Sequence, residues 1–348
     1  HDWQTGILPV YLKERFAGGE FYRGIKSVMT IHNLKFQGIY DIKTVQNITG
    51  LDNSYFTPDK LAYYKDGNLL KGGLTYADAI TTVSQTYAEE IKTAFYGEHL
   101  DGLLNARSKD LRGIVNGIDY NEYNPQTDQY IIRKYNADNF RKEKIKNKRD
   151  LQKQLGLEEN DKKMMIGIVS RLTDQKGMDL VAYVMDELCQ DEIQLVVLGS
   201  GESQYENMFH HYQSKYPDKV SVHIGFTEER SHHIYAASDV LLMPSMFEPC
   251  GLAQMIAMRY GTLPIVRETG GLRDTVEPYN EYENTGCGFS FANFNAQEMA
   301  DIVRYAYRVE HEQKAAWKEL IYRAMDRNFS WNVSAHAYEK LYDKLVEM

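Results

Sequence analysis

Three features are scarce in this sequence of 348 residues: cysteine, excess basic charge and long apolar runs. The three cysteines, Cys189, Cys250 and Cys287, form no Cys-x-x-Cys pair, which argues against a disulfide framework or a zinc site and favours a reducing cytoplasm. The net charge of −9 gives no basic field that would attract nucleic acid or an anionic membrane. No apolar run approaches the ~18 residues of a membrane-spanning helix.

Length and hydrophobic content indicate a globular chain with more than one domain. A chain of 348 residues exceeds one ordinary core, and its 43% of hydrophobic residues suits two α/β domains joined by a linker. It opens with His1-Asp2-Trp3, without an initiating methionine, a basic segment or an apolar signal region. We therefore expect no secretion signal, and a first residue that lies inside a longer domain.

Apolar runs alternate with amphipathic segments from about residue 163 onward. The runs predict strands at 164–169, 193–198, 220–224, 240–243 and 263–266. Helices are predicted between them, one with an apolar stripe at 180–188 and one opened by a capping box of Ser203 and Glu206. Apolar strands between amphipathic helices indicate a parallel sheet covered on both faces, hence an α/β, Rossmann-like domain. Ligands of such sheets bind beyond the carboxyl ends of the strands.

The first third has a less regular α/β pattern, which predicts strands at 27–31, 79–83 and 114–115 and a helix at 86–94. Residues 133–153 then contain nine Lys or Arg against three Asp or Glu. Both a nucleic-acid patch and a solvated connecting helix fit this composition. The acidic remainder of the chain favours the connecting helix, and we place the domain boundary there.

Charged residues follow the first predicted strand of the second domain. Arg171 and Lys176 lie in SRLTDQKG at 170–177, just before a predicted helix. A helix N-terminus offers unpaired N–H groups, Arg a planar fork and Lys a point charge, so the segment suits a phosphate site. An exposed basic turn fits the same spacing.

Two further turns end predicted strands. Glu248 precedes a helix N-terminus, where a carboxylate either contacts a ligand or caps the helix. Cys250 has no identifiable partner histidine, which favours a packed side chain over a nucleophile, and Leu252 is expected to face inward. The consecutive glycines Gly270 and Gly271 allow a close backbone approach to a ligand.

Together these segments resemble the retaining glycosyltransferases of the bacterial glycogen synthase and plant starch synthase family. The resemblance rests on SRLTDQKG, on PSMFEPCGL at 244–252 and on GTLPIVRETGGLRDTV at 261–276. Earlier segments agree, namely HDWQTG at 1–6, TIHNLKFQG at 30–38, YADAITTVS at 76–84 and VNGIDYNEYNP at 115–125. It covers essentially the whole chain, and EPCGL with SRLTxQKG is its most specific part.

The resemblance implies the GT-B fold, in which two Rossmann-like domains face each other across a cleft. It implies an incomplete first domain at 1–125, a linker at 126–161, a nucleotide-sugar-binding domain at 162–328 and a last helix at 329–348 that crosses back to the first domain. The family's Lys-x-Gly-Gly-Leu donor loop is expected before His1. The similar segment at 71–74 aligns instead with a helix-to-strand region.

The implied activity is transfer of glucose from ADP-glucose, or UDP-glucose, to the non-reducing 4-hydroxyl of an α-glucan, with retention of configuration and without a metal or other cofactor. Arg171 and Lys176 would neutralise the diphosphate, Glu248 would hold glucose hydroxyls, and His32 would approach the transferred sugar. The other binding positions that the resemblance implies are Asp2, Asn116, Cys250, Gly251, Leu252, Gly270, Gly271 and, near the base, Phe226. Neither a nucleic-acid nor a membrane partner is expected.

Alternatives come from inside and outside this family. Another nucleotide-sugar transferase of the same fold, such as a sucrose-synthase-like or cell-wall enzyme, is disfavoured by EPCGL with HDWQTG. An inactive glucan-binding fragment is favoured by the missing donor loop. A phosphorylase that uses pyridoxal phosphate is disfavoured, because the sequence contains no segment that matches its cofactor lysine. The adjacent histidines at 210–211 and 232–233 do not share a helix face, so a metal pair is not expected.

Overall fold

The computed structural model describes residues 1–347 and divides into two compact units. Unit 1 consists of residues 1–116 and the carboxyl-terminal segment that begins at Asn332, and unit 2 consists of residues 117–331. Among the described residues, no helix has both the length and the apolar character needed to span a membrane.

Unit 1 contains a three-stranded parallel sheet and a small antiparallel sheet. Its strands are β1 (Val28–Ile31), β2 (Ile39–Asp41), β3 (Ala62–Tyr63), β4 (Asp66–Asn68), β5 (Ala79–Thr82) and β6 (Leu111–Gly113). Its first helices are α1 (Ile7–Val10), α2 (Ile42–Thr49), α3 (Leu69–Tyr76), α4 (Gln85–Glu90) and α5 (Asp101–Ala106). The parallel sheet has the order β1-β5-β6 and the antiparallel sheet the order β2-β4-β3.

Two predictions for this part of the chain need correction. The strand expected at 114–115 is wrong, because β6 ends at Gly113 and only the N–H of Ile114 still bonds to Thr82, at 2.8 Å. The helix expected at 86–94 is shorter and begins one residue earlier, where the Ser84 hydroxyl accepts the N–H of Tyr87 at 3.0 Å. A side-chain cap thus fixes the start of α4.

Unit 2 contains a six-stranded parallel sheet with helices between its strands. The strands are β7 (Met164–Val169), β8 (Ile193–Gly199), β9 (Val220–Ile224), β10 (Val240–Met243), β11 (Leu263–Arg267) and β12 (Phe289–Phe291). The helices are α6 (Phe140–Leu155), α7 (Met178–Leu188), α8 (Ser203–Lys215), α9 (Glu228–Ala237), α10 (Ala253–Arg259), α11 (Gly270–Thr275), α12 (Ala296–Glu312) and α13 (Lys314–Asp326). A final helix, α14 (Trp331–Glu347), ends the described chain. The five strands predicted here are confirmed, three with the same bounds and two longer by one residue.

The strand order of unit 2 is β12-β11-β10-β7-β8-β9, so the sheet is wound in two directions from its centre. The chain runs outward through β8 and β9, returns to the other side of β7, and runs outward again through β11 and β12. Right-handed crossovers place the helices of the two halves on opposite faces. The winding direction changes between β7 and β10, which pair directly.

Two local predictions in unit 2 are wrong. The capping box fails because α8 begins at Ser203 with Glu202 as its N-cap, and the Glu206 carboxylate instead accepts the N–H of Gly201 at 2.8 Å. Leu252 does not face inward, because it is the N-cap of α10 and is 46% exposed.

The basic helix α6 differs from the solvated connecting helix expected from its composition. It packs against α9, and Lys144 and Lys148 are buried among polar atoms of unit 2. The Lys144 ammonium donates to Ala236 O and Thr262 Oγ1, both at 2.9 Å, and burial lowers the pKa of Lys144 to about 7. Composition alone misses this, because helical periodicity directs one part of a basic segment inward.

A buried ion pair joins α6 to the amino ends of β7 and β10. The Lys148 ammonium lies 2.5 Å from the Asp239 carboxylate and 2.6 Å from Lys163 O. The same carboxylate oxygen accepts the N–H of Met165 at 2.7 Å. Removing one partner of a buried pair leaves a charge without compensation, which is far more costly than losing an exposed pair.

We predict that Lys148→Met lowers the free energy of unfolding of unit 2 by roughly 2–4 kcal/mol, because it removes a buried cation and leaves the Asp239 carboxylate, only 16% exposed, without it. The matched control is Lys146→Met, two residues earlier on α6, whose side chain is 36% exposed and pairs with Glu143 at i,i+3 spacing. That control should change stability by less than about 1 kcal/mol. Urea denaturation of the full chain measures both values. Equal effects of the two substitutions would contradict a structural role for the buried pair.

Candidate active site

The change in winding direction between β7 and β10 brings two of the predicted side chains together. Lys176 lies in the turn after β7 and Glu248 in the turn after β10, and Lys176 Nζ is 2.5 Å from Glu248 Oε2. Ser245 Oγ donates to the same oxygen at 3.1 Å. Only 8% of the Glu248 side chain and 16% of the Lys176 side chain are exposed. The pair is therefore held at the carboxyl edge of the sheet, where open α/β sheets bind ligands.

Backbone contacts fix the two turns against each other. Gly177 has φ +72°, and a Cβ at this position would lie 2.1 Å from Pro244 O, so no other residue fits without displacing backbone. The N–H of Met246 also donates to Gln175 O at 2.9 Å. The position of Lys176 relative to Glu248 is thus set by backbone atoms on both sides.

The glycines Gly270 and Gly271 support this arrangement from the turn after β11. Gly270 has φ +46°, and a Cβ there would lie 2.0 Å from Glu248 O. The N–H of Gly271 donates to that same oxygen at 3.0 Å. These glycines therefore allow the turn after β11 to pack closely against the segment that carries Glu248.

The remaining predicted residues of unit 2 differ in exposure. Cys250 is buried, at 6% exposed, and Gly251 adopts φ +71° just before α10. Arg171 lies two residues after β7 on an exposed turn. Phe226 follows β9 and is 61% exposed, so its ring is not part of the core. Leu252 is likewise accessible.

Two of the predicted residues of unit 1 follow the carboxyl ends of its own parallel strands. His32 follows β1 and Asn116 follows β6. The Asp2 carboxylate accepts the N–H of His32 at 2.8 Å, and Asp2 itself has φ 52°. The His1 and His32 rings stack with centroids 5.1 Å apart, and His1 Nδ1 lies 2.8 Å from His32 Nε2.

Sequence reasoning missed two residues that hold the Glu248 turn. Arg267, at the end of β11, donates from Nε to Ser245 O at 2.8 Å and from its guanidinium to Met246 O. Ser245 is buried beside Glu248. The available signal was a charged residue that ends an otherwise apolar strand, which indicates a buried partner at that position.

The segment Lys71-Gly72-Gly73-Leu74 lies within α3, as its alignment with a helix-to-strand region implies. Lys71 Nζ donates to Pro58 O at 2.6 Å and to Ala62 O at 2.5 Å. Its ammonium is therefore engaged by backbone carbonyls of unit 1.

Two family models match the sequence. One, described as the starch synthase catalytic domain, matches residues 1–106, and the other, described as glycosyl transferases group 1, matches residues 147–323. The first match lies within unit 1 and the second within unit 2.

Curated proteins and solved structures agree with these matches. The chain is 66% identical over 345 residues to the glycogen synthase of Lachnospira eligens, which covers 99% of this chain and 72% of that protein. It is 49% identical to the glycogen synthase of Bacillus cereus (strain ATCC 10987 / NRS 248), over 100% of this chain and 72% of that protein.

The catalytic domain of starch synthase IV from Arabidopsis thaliana, bound to ADP and acarbose, matches with a TM-score of 0.92 and 34% identity, over 100% of this chain and 72% of that one. Sucrose-phosphate synthase from Thermosynechococcus elongatus, at 20% identity and a TM-score of 0.60 over 99% of this chain and 72% of that one, shares the fold. The predicted family and fold class are confirmed. The chain belongs to the glycogen synthase and starch synthase family, hexosyltransferases with the GT-B fold.

Proposed function

We propose that the chain transfers glucose from ADP-glucose to the non-reducing 4-hydroxyl of an α-1,4-glucan, with retention of configuration. The observation that carries the proposal is the Lys176–Glu248 pair at the point where the winding of the unit 2 sheet reverses. The identity to curated glycogen synthases and the match to a starch synthase bound to ADP and acarbose support the choice of donor and acceptor. UDP-glucose is the alternative donor.

Arg171 and Lys176 are proposed to bind the diphosphate of the donor. Negative charge develops on the leaving phosphate as the glycosidic bond breaks, so fixed cations at that place stabilise the transition state more than the ground state. Lys176 is already oriented by Glu248, and Arg171 offers a planar fork on an exposed turn. These two side chains supply the positive charge that the leaving phosphate needs, so we propose no metal ion for the transfer step.

Glu248 is proposed to hold the hydroxyls of the transferred glucose. Both of its side-chain hydrogen bonds described above are made by Oε2, with Lys176 and with Ser245. We therefore assign Oε1 to the sugar hydroxyls. A carboxylate fixed in this way needs little reorganisation when the substrate binds.

Roles for the other positions rest on the family resemblance. We propose that His32, Asp2 and Asn116 of unit 1 contact sugar, and that Phe226 contacts the base, which its 61% exposure permits. The segment of Cys250, Gly251 and Leu252, with Gly270 and Gly271, is proposed to line the donor site.

The proposed location is the cytoplasm. No two of the three cysteines, all of which lie within the described residues, form a disulfide, as suits a reducing compartment.

We predict that Glu248→Gln and Glu248→Ala lower kcat by roughly 10²–10³, because each removes a fixed electrostatic contact to the reacting sugar. Glucose incorporation into glycogen from ADP-glucose measures kcat, and circular dichroism checks the fold. Glu283→Ala, at an exposed loop position of unit 2, is the control and should retain the parent rate. A kcat within a factor of about three of the parent for Glu248→Gln would show that the role is misassigned.

Arg171→Ala and Lys176→Ala are each expected to weaken the binding of ADP by about ten- to a hundredfold, the loss of one charged hydrogen bond. Isothermal titration calorimetry of the full chain with ADP measures this directly. Lys162→Ala, which removes an exposed lysine before the amino end of β7, should bind ADP as the parent does. Unchanged affinity in both site variants would refute the diphosphate role.

Donor preference is tested on one preparation with both nucleotide sugars. We expect a higher kcat/KM with ADP-glucose than with UDP-glucose, since the starch synthase with which the chain shares 34% identity was solved with ADP bound. The reverse order would reassign the donor while leaving the transfer reaction in place.

A further inference from the structure

A second cluster of charged side chains lies in unit 2 and shares no residue with the candidate active site. Glu228 and His232 stand four residues apart on α9, a spacing that places both on one face of the helix. Glu122, in the segment by which the chain enters unit 2, reaches the same place. One carboxylate oxygen from each glutamate and one imidazole nitrogen all lie within 4.8 Å of one another.

The histidine of this cluster is buried and oriented by a carboxylate. His232 is 1% exposed, and its Nδ1 lies 2.7 Å from Asp128 Oδ2. Asp128 is held in turn by the Tyr260 hydroxyl at 2.5 Å and by the N–H of Tyr130 at 2.8 Å. A carboxylate that accepts the Nδ1 proton fixes the tautomer in which Nε2 has its lone pair available, an arrangement found behind metal-bound histidines.

The other ring nitrogen lies near Glu228 and has no hydrogen-bond partner. Nε2 of His232 is buried without one, although it lies 3.4 Å from Glu228 Oε1. Two ligands bound at about 2.0–2.1 Å in a tetrahedral site lie roughly 3.3–3.4 Å apart, so this separation fits two ligands of one ion. The Tyr123 hydroxyl donates to Glu228 Oε1 at 2.8 Å and its ring stacks on His232, which fixes both groups.

We propose that Glu122, Glu228 and His232 bind a divalent transition-metal ion such as Zn²⁺, with water as the remaining ligand. One imidazole nitrogen and two carboxylates suit such an ion better than Ca²⁺ or Mg²⁺, which prefer oxygen ligands alone. The two carboxylates balance its charge. Because Glu122 is exposed, the ion can enter from solvent.

The bound ion links the segment that contains Glu122 to α9 and so stabilises unit 2. It is a structural ion, because none of its ligands belongs to the phosphate or sugar positions of the candidate active site. The cluster uses neither a cysteine nor a pair of adjacent histidines. His233, the neighbour of His232, instead contacts Tyr130 O through Nε2 at 2.7 Å. The sequence signal that marks the cluster is Glu228-x-x-x-His232.

Protonation of His232 at Nε2 is the alternative to metal binding at this cluster. Burial lowers the pKa of His232, but the hydrogen bond and charge of Asp128, together with the nearby charge of Glu228, outweigh burial and raise it above the usual value. A doubly protonated ring would bridge Asp128 and Glu228 without any metal. Metal titration separates the two cases, because an imidazolium has no lone pair to offer.

The test is calorimetric titration of the EDTA-treated and desalted full chain with Zn²⁺ at neutral pH. We expect one ion per chain and a melting temperature that rises with Zn²⁺ concentration, as mass action requires for a ligand of the folded state. Glu122→Gln and Glu228→Gln should each weaken binding by at least about tenfold, and Asp128→Asn by about 10–100-fold. Glu229→Gln, the same charge change at the next residue of α9, should bind Zn²⁺ as the parent does.

Melting without metal shows whether each variant folds, and Glu122→Gln, at an exposed position, is the variant least able to disturb the fold. The absence of a stoichiometric Zn²⁺ site in the parent overturns the proposal in favour of the protonated network. So does equal affinity in the Glu122→Gln, Glu228→Gln and Glu229→Gln variants.

Discussion

The pairing of β7 with β10, two parallel strands from which the chain departs in opposite directions, is the constraint on which the rest of unit 2 depends. Because the following helices leave toward opposite faces, the carboxyl ends of these two strands remain uncovered. The turn after each strand then contributes one charge, Lys176 from the first and Glu248 from the second. Glycines at 177, 270 and 271 are required because the backbones of the turns approach too closely for a side chain.

The same two strands are joined by a lysine–carboxylate pair at each end. At the amino ends, Lys148 of α6 pairs with Asp239, and the side chain of Lys148 is only 4% exposed. At the carboxyl ends, Lys176 pairs with Glu248 and remains 16% exposed. The Lys148–Asp239 pair is suited to structure, because backbone groups satisfy it further, with Lys148 donating to Lys163 O and Asp239 accepting the N–H of Met165. Lys176 and Glu248 lie in turns at the carboxyl edge of the sheet, so they can replace part of their mutual contact with contacts to a ligand.

Charged side chains thus perform three different tasks in this unit. Lys148 is part of a buried network, Lys176 belongs to the candidate active site, and Glu228 faces a buried histidine. Asp239 and Glu248 each fix the paired lysine by accepting a hydrogen bond from its ammonium, and the Asp128 carboxylate fixes the ring of His232 through Nδ1. The geometry around His232 differs in one respect, since its Nε2 atom is left without a hydrogen-bond partner.

The sequence by itself determined five of the six unit 2 strands, the family and the residues at the strand ends, because apolar periodicity and local motifs are properties of neighbouring residues. It did not determine the burial of Lys144 and Lys148, the exposure of Leu252 or the support that Arg267 gives to the Glu248 turn. Each of these depends on which distant segment packs against the residue. The cluster of Glu122 with Glu228 and His232 likewise joins positions more than a hundred residues apart in the chain. Only the tertiary structure decides such contacts, because the free energy of burying a charge depends on partners that the local sequence does not contain.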